Sequence, residues 1–534
     1  MTILNLWPLS PPFTPRPTGR SGQPRRWQGA VAAALLVAGC ASSPSQVEEN
    51  IGRLRGMIAA DEPNAAMVGR DILRQGGSAA DAVAAAGFAM AATLPSAVGL
   101  GGGGICAVYE ARDKRAAVLD FRPLPASDRP NAAALPGFAR GLQALQARYG
   151  AIEMARVLGP AERIARFGAP VSRAFANDIA RAQPVVLGNP ALRGGITDAE
   201  GRPRREGQTM AQPDLAQSLQ RLRVEGIGDF YTGLLARAYA QGVAQAGGDL
   251  PPDRLASYTA QWAEPVPVEI GGFTVVAAGV DAASEQAQGL LQLLVRGRSW
   301  AAAGAAERDH LVLSAIAQAS DPPGPIAAAQ AVERFGAYRP DSAVLVEGLT
   351  LPPPARIPGA ATVSAIDASG LAVACAFTLN SPFGIGRPAP GTGILMTVPG
   401  APPAAVAPRA AVAVVFNPRA NAAIGTVGAS GGPAAMPALA QVVLRALELD
   451  EPPARAVQAP RLALGGERFA AWLEEAEGAE ARRKALDDKG WKVAAARDLG
   501  AVNLIHCPTG LPRRQSYCLG EADRRGFGIV VRAD

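Results

Sequence analysis

The chain has 534 residues, of which 49% are hydrophobic and 18% are charged. That length can bury a large core, and that composition excludes an intrinsically disordered chain. The formal net charge of +6 is small for the length, and no basic stripe with interleaved aromatic residues occurs. No nucleic-acid partner is therefore predicted.

Residues 1–40 predict a lipoprotein signal peptide. Four arginines between positions 16 and 26 precede an apolar run at residues 30–38 that is too short to span a bilayer. The run ends in Val37-Ala38-Gly39-Cys40, which resembles a bacterial lipobox with Cys40 as the lipidated residue. An ordinary signal peptide with an incidental cysteine is the alternative. Lipidation of Cys40 predicts a membrane-anchored protein of the periplasm or cell envelope, with residues 41–55 as a tether.

The first elements after the tether are a strand at residues 56–60 and a helix from Pro63 to Arg74. Pro at the start of a helix and glycines after its end are a common pairing. A second, almost wholly apolar helix follows Ser78 and runs to Thr93, and Ser78 and Asp81 have capping-box spacing.

A four-glycine run at residues 101–104 leads into strands predicted at 105–110 and 116–121. The run lacks the Gly-Lys-Ser/Thr ending of a phosphate loop and precedes a strand, so it predicts close backbone approach beneath a functional site. Residues 130–260 have a mostly helical pattern, and residues 323–359 have a loop-like composition. A hairpin is predicted from strands 362–367 and 371–378, and Gly431-Gly432 leads into a helix predicted at 436–449.

Few residues are available for metal or redox chemistry. Only His310 and His506 occur, which argues against a histidine-rich metal site or a Ser-His-Asp site. No metal and no cofactor are predicted. Cys507 and Cys518 flank a turn-like segment and could form a disulfide in an oxidising compartment, or both could be free buried thiols.

The ordered set of motifs resembles the gamma-glutamyltranspeptidase family of N-terminal-nucleophile hydrolases. The stretch Gly-Gly-Ser-Ala-Ala-Asp-Ala at residues 76–82, the glycine run, the Pro-Gly-Ala-Ala-Thr stretch at 358–362 and the later Gly-Gly pair carry this resemblance. It covers about residues 56–534. It implies an α+β fold, a four-layer αββα sandwich of two stacked antiparallel sheets between helical layers. Residues 56–359 are then large-subunit-like and residues 360–534 small-subunit-like, together forming one domain.

The resemblance implies γ-glutamyl transfer from, or hydrolysis of, glutathione-like amides by a threonine. In the family this threonine stands seven residues before the aspartate of the following turn, and counting back from Asp367 gives Ala360. The threonine hydroxyl both splits the precursor chain and accepts the acyl group, and Ala360 has no hydroxyl. Thr362 is the nearby substitute on the same face of the strand, but it is displaced by about 6.6 Å.

Other site roles are implied in the same way. Thr378 matches the threonine that hydrogen-bonds the nucleophile, and Gly431 and Gly432 match the pair that forms the oxyanion hole. Asn380 matches a substrate-binding position. Arg122 matches the arginine that pairs with the glutamyl α-carboxylate, or it is an ordinary ion-pair residue.

Two further family features are missing. The aspartate that binds the substrate ammonium aligns with Pro402, and no acidic residue lies between positions 391 and 409. The paired serines expected near Arg409 are also absent. Three hypotheses follow: an uncleaved, catalytically impaired homologue that binds γ-glutamyl or amino-acid-like ligands, a divergent amide hydrolase using Thr362, or a structural envelope protein.

Overall fold

The computed structural model describes residues 54–534, apart from positions 130 and 337 and the segments 281–285, 298–299, 321–327, 344–350, 398–409, 467–469 and 514–516. The predicted signal peptide, most of the tether and Cys40 lie outside the described residues. Pro402 and Arg409 lie outside them too. Within the described part of the chain, no helix is long and apolar enough to cross a membrane.

The first of two large sheets contains seven strands, and every neighbouring pair is antiparallel. In the order in which they lie side by side, the strands are Ile529–Ala533, Gly56–Ala60, Ala360–Asp367, Leu371–Thr378, Gly103–Glu110, Arg115–Phe121 and Gln261–Ala263. The predicted hairpin is therefore the centre of this sheet. Its first strand begins at Ala360, two residues before the predicted start.

The second large sheet contains six strands and is also antiparallel throughout. Its strands, in spatial order, are Leu519–Glu521, Ala501–Leu511, Ala422–Ser430, Ala410–Asn417, Phe273–Gly279 and Pro267–Ile270. A three-stranded sheet and three two-stranded pairs lie outside the two large sheets. The three-stranded sheet contains Leu462–Gly465, Ala470–Glu474 and Val493–Ala496, and the pairs are Leu124–Pro125 with Ala134–Leu135, Ala169–Pro170 with Thr209–Met210, and Pro388–Ala389 with Ile394–Leu395.

Helices cover the outer face of each large sheet. The helices that precede the strand Pro267–Ile270 in the chain are Pro63–Arg74, Ala79–Thr93, Phe138–Tyr149, Met154–Phe167, Arg173–Arg181, Gln183–Gly188, Pro190–Ile196, Pro213–Glu225, Asp229–Thr232, Leu234–Gln245 and Pro252–Ser257. The later helices are Gln286–Gly297, Ala305–Ala319, Ala328–Phe335, Ala435–Glu448, Pro453–Gln458 and Ala479–Asp487. The helix Ala79–Thr93 is buried at every position, which explains its almost wholly apolar sequence.

The buried side chains form three main layers of core. One joins the first helical layer to the first sheet, and another joins the second sheet to its own helices. The third lies between the sheets and is rich in alanine, with Ala374 and Ala376 of the first sheet and Ala410 of the second among its members. The predicted αββα sandwich is confirmed.

Local sequence signals agree with the structure at most of the predicted elements. Ser78 and Asp81 form the capping box. In the glycine run, a Cβ at Gly102 would lie 2.4 Å from the Thr378 carbonyl oxygen, and a Cβ at Gly104 would lie 2.3 Å from that of Ala376. Only glycine permits this backbone approach. The following strand starts at Gly103 rather than at residue 105.

The prediction that residues 323–359 are loop-like is wrong in part, because Ala328–Phe335 is a helix. Prolines and a glycine just before it obscured the alanine-rich helical segment. Among the described residues, Cys507 forms a disulfide with Cys518, and Cys106 forms one with Cys375. Cys106 and Cys375 face each other on neighbouring strands of the first sheet.

Candidate functional site

Ala360 is the first residue of a central strand, and its neighbour Thr378 faces it across the ladder. The Thr378 hydroxyl donates a hydrogen bond of 2.9 Å to the carbonyl oxygen of Gly359. The Leu379 N–H donates to the same oxygen at 3.3 Å. Two donors therefore hold the carbonyl of the Gly359–Ala360 peptide bond, beside a methyl side chain.

Thr362 lies two residues along the same strand, but its environment is closed. The side chain is 1% exposed, and Gly428 of the second sheet packs directly over it. Its hydroxyl donates to Asp61 Oδ2 at 3.1 Å, and its backbone N–H donates to the same oxygen at 2.8 Å. Asn503 Nδ2 donates to Asp61 Oδ1 at 2.7 Å. Thr362 is thus part of a buried hydrogen-bond cluster between the sheets.

Gly431 and Gly432 follow the strand Ala422–Ser430 and precede the helix Ala435–Glu448. Their φ angles are +104° and +94°, a backbone conformation that side-chain-bearing residues rarely adopt. Residues 351–359, termed the strap, run across this pair. Ile357 N–H faces the Gly431 carbonyl at 3.4 Å, and a Cβ on Gly432 would lie 2.7 Å from the Ala355 carbonyl oxygen. The strap therefore covers the predicted oxyanion-hole glycines.

A small cavity lies against Ala360, with room for a group about the size of a water molecule. The residues that line it come from the first helical layer, the strap and the ends of both sheets. They are Asp61, Leu94, Ala174, Asp178, Arg356, Ile357, Pro358, Ala360, Ala361, Ser430 and Gly431.

Two carboxylates in this cavity are almost fully buried, Asp61 at 8% and Asp178 at 6% exposure. Burial raises the pKa of both carboxyl groups, because a desolvated carboxylate is disfavoured. Hydrogen bonds from Thr362 and Ser430 and the charge of Arg356 oppose this rise in the pKa of Asp61. For Asp178 the opposing influences are led by Arg356 and a hydrogen bond from Ser96.

Arg122 and Asn380 each follow a strand of the first sheet, and the two strands end on the same side of that sheet. Arg122 follows the strand Arg115–Phe121, whose end is two strands away from Thr378. At about 4.8 Å per strand, its backbone lies roughly 14 Å from Ala360. Its guanidinium forms an ion pair with Asp120, with Nη2 2.5 Å from Oδ2. Asn380 has a φ of +60°, and its N–H donates to Thr378 Oγ1 at 2.9 Å.

The arrangement can hold a carbonyl and bind polar groups, and among the described residues the side chain beside that carbonyl is the methyl group of Ala360. The structure gathers Ala360, Thr378, Asn380, Gly431 and Gly432 at one place. The Thr362 side chain points into the hydrogen-bond cluster between the sheets. Arg122 lies at the end of a strand two positions away from the strand of Thr378. Within the described ranges, no group of three His, Cys, Asp or Glu residues could hold a metal ion.

Sequence reasoning missed Asp61, Asp178 and Arg356. Asp61 directly follows an apolar strand, which was a usable signal, because a charged residue at a buried strand end often serves a site. Asp178 lies in the helix Arg173–Arg181, whose pattern is that of an ordinary surface helix. Arg356 lies in the strap, where composition indicated only a loop.

Comparison with protein families and known proteins gives a consistent result. Residues 65–321 match the family model described as gamma-glutamyltranspeptidase. The glutathione hydrolase proenzyme of Pseudomonas aeruginosa is 30% identical over 381 residues, which cover 64% of this chain and 67% of that protein. The glutathione hydrolase proenzyme of Escherichia coli K12 is 33% identical over 241 residues, and the match spans 41% of the length of each protein.

Among solved structures, the cephalosporin acylase from Bacillus halodurans superposes with a TM-score of 0.75 at 21% sequence identity. The superposition covers 90% of this chain and 96% of the acylase. At this level of identity, the likeness concerns the fold.

Proposed function

Because the chain belongs to the gamma-glutamyltranspeptidase family, we propose that it is an uncleaved member of that family without acyl-transfer activity. The observation that carries this proposal is that Ala360 directly follows the Gly359 carbonyl, which is fixed by a hydrogen bond from Thr378. The Gly359 carbonyl accepts a hydrogen bond from Thr378, yet the side chain beside it is a methyl group. A methyl group cannot attack an amide carbonyl, so neither chain cleavage nor acyl transfer has a nucleophile.

The strap supports the same proposal. It stays attached to Ala360 and is fixed at several points, including the Leu351 carbonyl, which accepts from the Gly466 N–H at 2.9 Å. Arg356 Nη1 donates to the Arg525 carbonyl at 3.0 Å. The division into a large-subunit-like region at 56–359 and a small-subunit-like region at 360–534 is then one of ancestry, within a single unbroken polypeptide.

A divergent amide hydrolase that uses Thr362 is the alternative enzyme. The burial of Thr362 and its bonding to Asp61 weigh against it, because the hydroxyl faces the second sheet rather than the cavity. Reaching the Gly359 carbonyl would require a shift of about two residues of strand, and catalytic geometry tolerates roughly 1 Å.

Ligand binding without turnover is the second candidate function, and the polar cavity beside Ala360 favours it. We expect γ-glutamyl or amino-acid-like compounds to raise the melting temperature of the purified protein. A structural envelope protein would show no such stabilisation with any of them. The relatives from Pseudomonas aeruginosa and Escherichia coli are glutathione hydrolase proenzymes, so γ-glutamyl amides are the first compounds to test.

Export and membrane anchoring complete the proposal. The lipobox-like ending at Cys40 supports a lipoprotein held in the cell envelope. The mass of the mature N-terminal peptide tests this directly, since lipidated Cys40 would carry a diacylglyceryl group. A mature chain that starts at another residue and carries no lipid would contradict the anchoring.

The cleavage state of the chain is the sharpest test of the proposal that the protein has no acyl-transfer activity. On a denaturing gel, the purified protein is expected to run as one chain, and it should release no glutamate from glutathione. Two fragments that result from a break near residue 360, together with glutamate release, would establish that the protein is an active enzyme.

A further inference from the structure

The candidate site and the first described residues lie at opposite ends of the first large sheet. Ala360 begins a central strand of that sheet, and Asp367 ends it. Gly56, the first residue of the neighbouring strand, pairs with Asp367. Seven steps of about 3.3 Å along the central strand separate its two ends by roughly 23 Å. The part of the chain that leads back to Cys40 therefore joins the domain at the end away from the cavity.

Turns from both large sheets meet at that end. A Cβ on Gly370, in the turn between the central strands, would lie 2.6 Å from the Leu511 carbonyl oxygen of the second sheet and 2.8 Å from the Cβ of Ala111. The rings of Tyr109 and Phe416 stack with 4.0 Å between their centroids, so the turns that follow these two residues are neighbours. We term this end the turn face, and it consists of residues 54–55, 111–115, 367–370, 417–421, 512–513 and 517.

The turn face is strongly basic. It exposes six cationic side chains and one carboxylate, that of Asp113. The cations are Arg55, Arg112, Lys114, Arg115, Arg419 and Arg513. Among the described residues, Arg115 is the one of these six that forms an ion pair, and its partner is Glu264 outside the face. Tyr517 adds an aromatic ring that is 50% exposed. Clustered cations with an exposed tyrosine suit the headgroup region of a negatively charged membrane.

We propose that the turn face docks on the anionic phospholipid headgroups of the membrane that holds the lipid anchor. The inference rests on the anchoring through Cys40 proposed above. Leu54 is fourteen residues from Cys40, and a chain of that length spans at most about 50 Å, so the face stays close to the bilayer. Each basic residue near an anionic surface strengthens binding about five-fold. Docking directs the cavity beside Ala360 away from the membrane and toward ligands in solution.

A single fluorescent label on the protein tests this orientation. In the part of the chain that the structure describes, all four cysteines are in disulfides, so an introduced cysteine supplies the reactive thiol. Ala420→Cys places the label on the turn face. Ala180→Cys places it on the helix that contains Asp178, near the cavity, and both positions are exposed. The full-length chain is expressed with export, and the mature protein is mixed with vesicles that contain a lipid with a nitroxide-labelled headgroup as quencher.

The vesicles are made of phosphatidylcholine alone or of phosphatidylcholine with phosphatidylglycerol. With phosphatidylglycerol, the label at position 420 should be quenched strongly and the label at position 180 weakly. With phosphatidylcholine alone, both labels should be quenched weakly and to a similar extent. Raising the ionic strength from about 0.1 M to about 1 M should remove the difference, because the Debye length falls from about 10 Å to about 3 Å.

Charge reversal assigns the effect to this face. Arg112→Glu combined with Lys114→Glu should lower the ratio of docked to undocked protein by at least about 25-fold, since two cations are lost. Arg205→Glu combined with Arg237→Glu changes the net charge equally at exposed positions outside the face. This matched control should leave the ratio unchanged.

Flotation of the natural protein with phosphatidylcholine vesicles reports the lipid anchor separately. Protein that floats but shows equal quenching of the two labels on anionic vesicles would overturn the docking and leave the anchoring in place. An equal loss of docking in both charge-reversal variants would also overturn the role of the turn face. Protein that does not float would contradict the anchoring, while quenching at position 420 that requires phosphatidylglycerol would still support the face. Absence of both signals would overturn both proposals.

Discussion

Restoring a hydroxyl at residue 360 is expected to restore chain cleavage. The Ala360→Thr variant places an oxygen next to the Gly359 carbonyl, which already accepts from Thr378 at 2.9 Å. The Thr378 hydroxyl is therefore close enough to donate to the negatively charged oxygen that forms from this carbonyl during attack. The variant should split into two fragments that remain associated, the smaller one beginning with the introduced threonine.

The contribution of the Thr378 hydrogen bond to chain cleavage can be measured in the Ala360→Thr variant. Removing one such donor typically slows a reaction by about 10²–10³-fold. Adding Thr378→Val to Ala360→Thr should therefore slow cleavage by roughly that factor at an unchanged cleavage point. The assay is the fraction of split chain on a denaturing gel over time, with fragment masses read by mass spectrometry.

Ala360→Val is the matched control, because valine has nearly the shape of threonine but no hydroxyl. It should stay intact. The reasoning would be refuted if Ala360→Val split like Ala360→Thr. It would also be refuted if folded Ala360→Thr remained a single chain through several days.

Three further outcomes concern stability and the neighbouring residues. Cys106→Ser should lower the free energy of unfolding by about 3–5 kcal/mol, because the bond to Cys375 closes a long loop; denaturant titration measures this, and no change would contradict it. Thr362→Val should cost about 1–3 kcal/mol, since a buried carboxylate loses a donor, yet it should leave cleavage of the threonine-restored variant within a few-fold. Burial lowers the pKa of His310, whose Nδ1 accepts from Trp491 Nε1 at 2.8 Å, so its contribution to stability is complete above about pH 6.5 and is lost as the pH falls below that value. His310→Gln should therefore flatten the fall in stability between pH 7 and pH 5, and an unchanged slope would contradict this.

Much of the fold was predictable because local signals and the family resemblance agreed. The capping box at Ser78, the stop after Arg74 and the central hairpin all depend on residues close together in sequence. The helix predicted at 436–449 is observed as Ala435–Glu448. Ala360 was identified by counting back from Asp367, and the ladder places it opposite Thr378.

The remainder depends on contacts that no short stretch of sequence contains. Cys106 and Cys375 are 269 positions apart, and their pairing requires knowing that their strands are neighbours. Asp178 comes from a helix that is distant in sequence from Ala360, and only the folded structure shows that both residues line one cavity. The closed position of Thr362 follows from the stacking of the second sheet, through Gly428.

The mass of the intact natural protein tests the central claim most directly. An uncleaved chain without a nucleophile predicts one polypeptide that runs unbroken through the Gly359–Ala360 bond. A smaller fragment beginning at Ala360 or Thr362, accompanied by its larger counterpart, would contradict it.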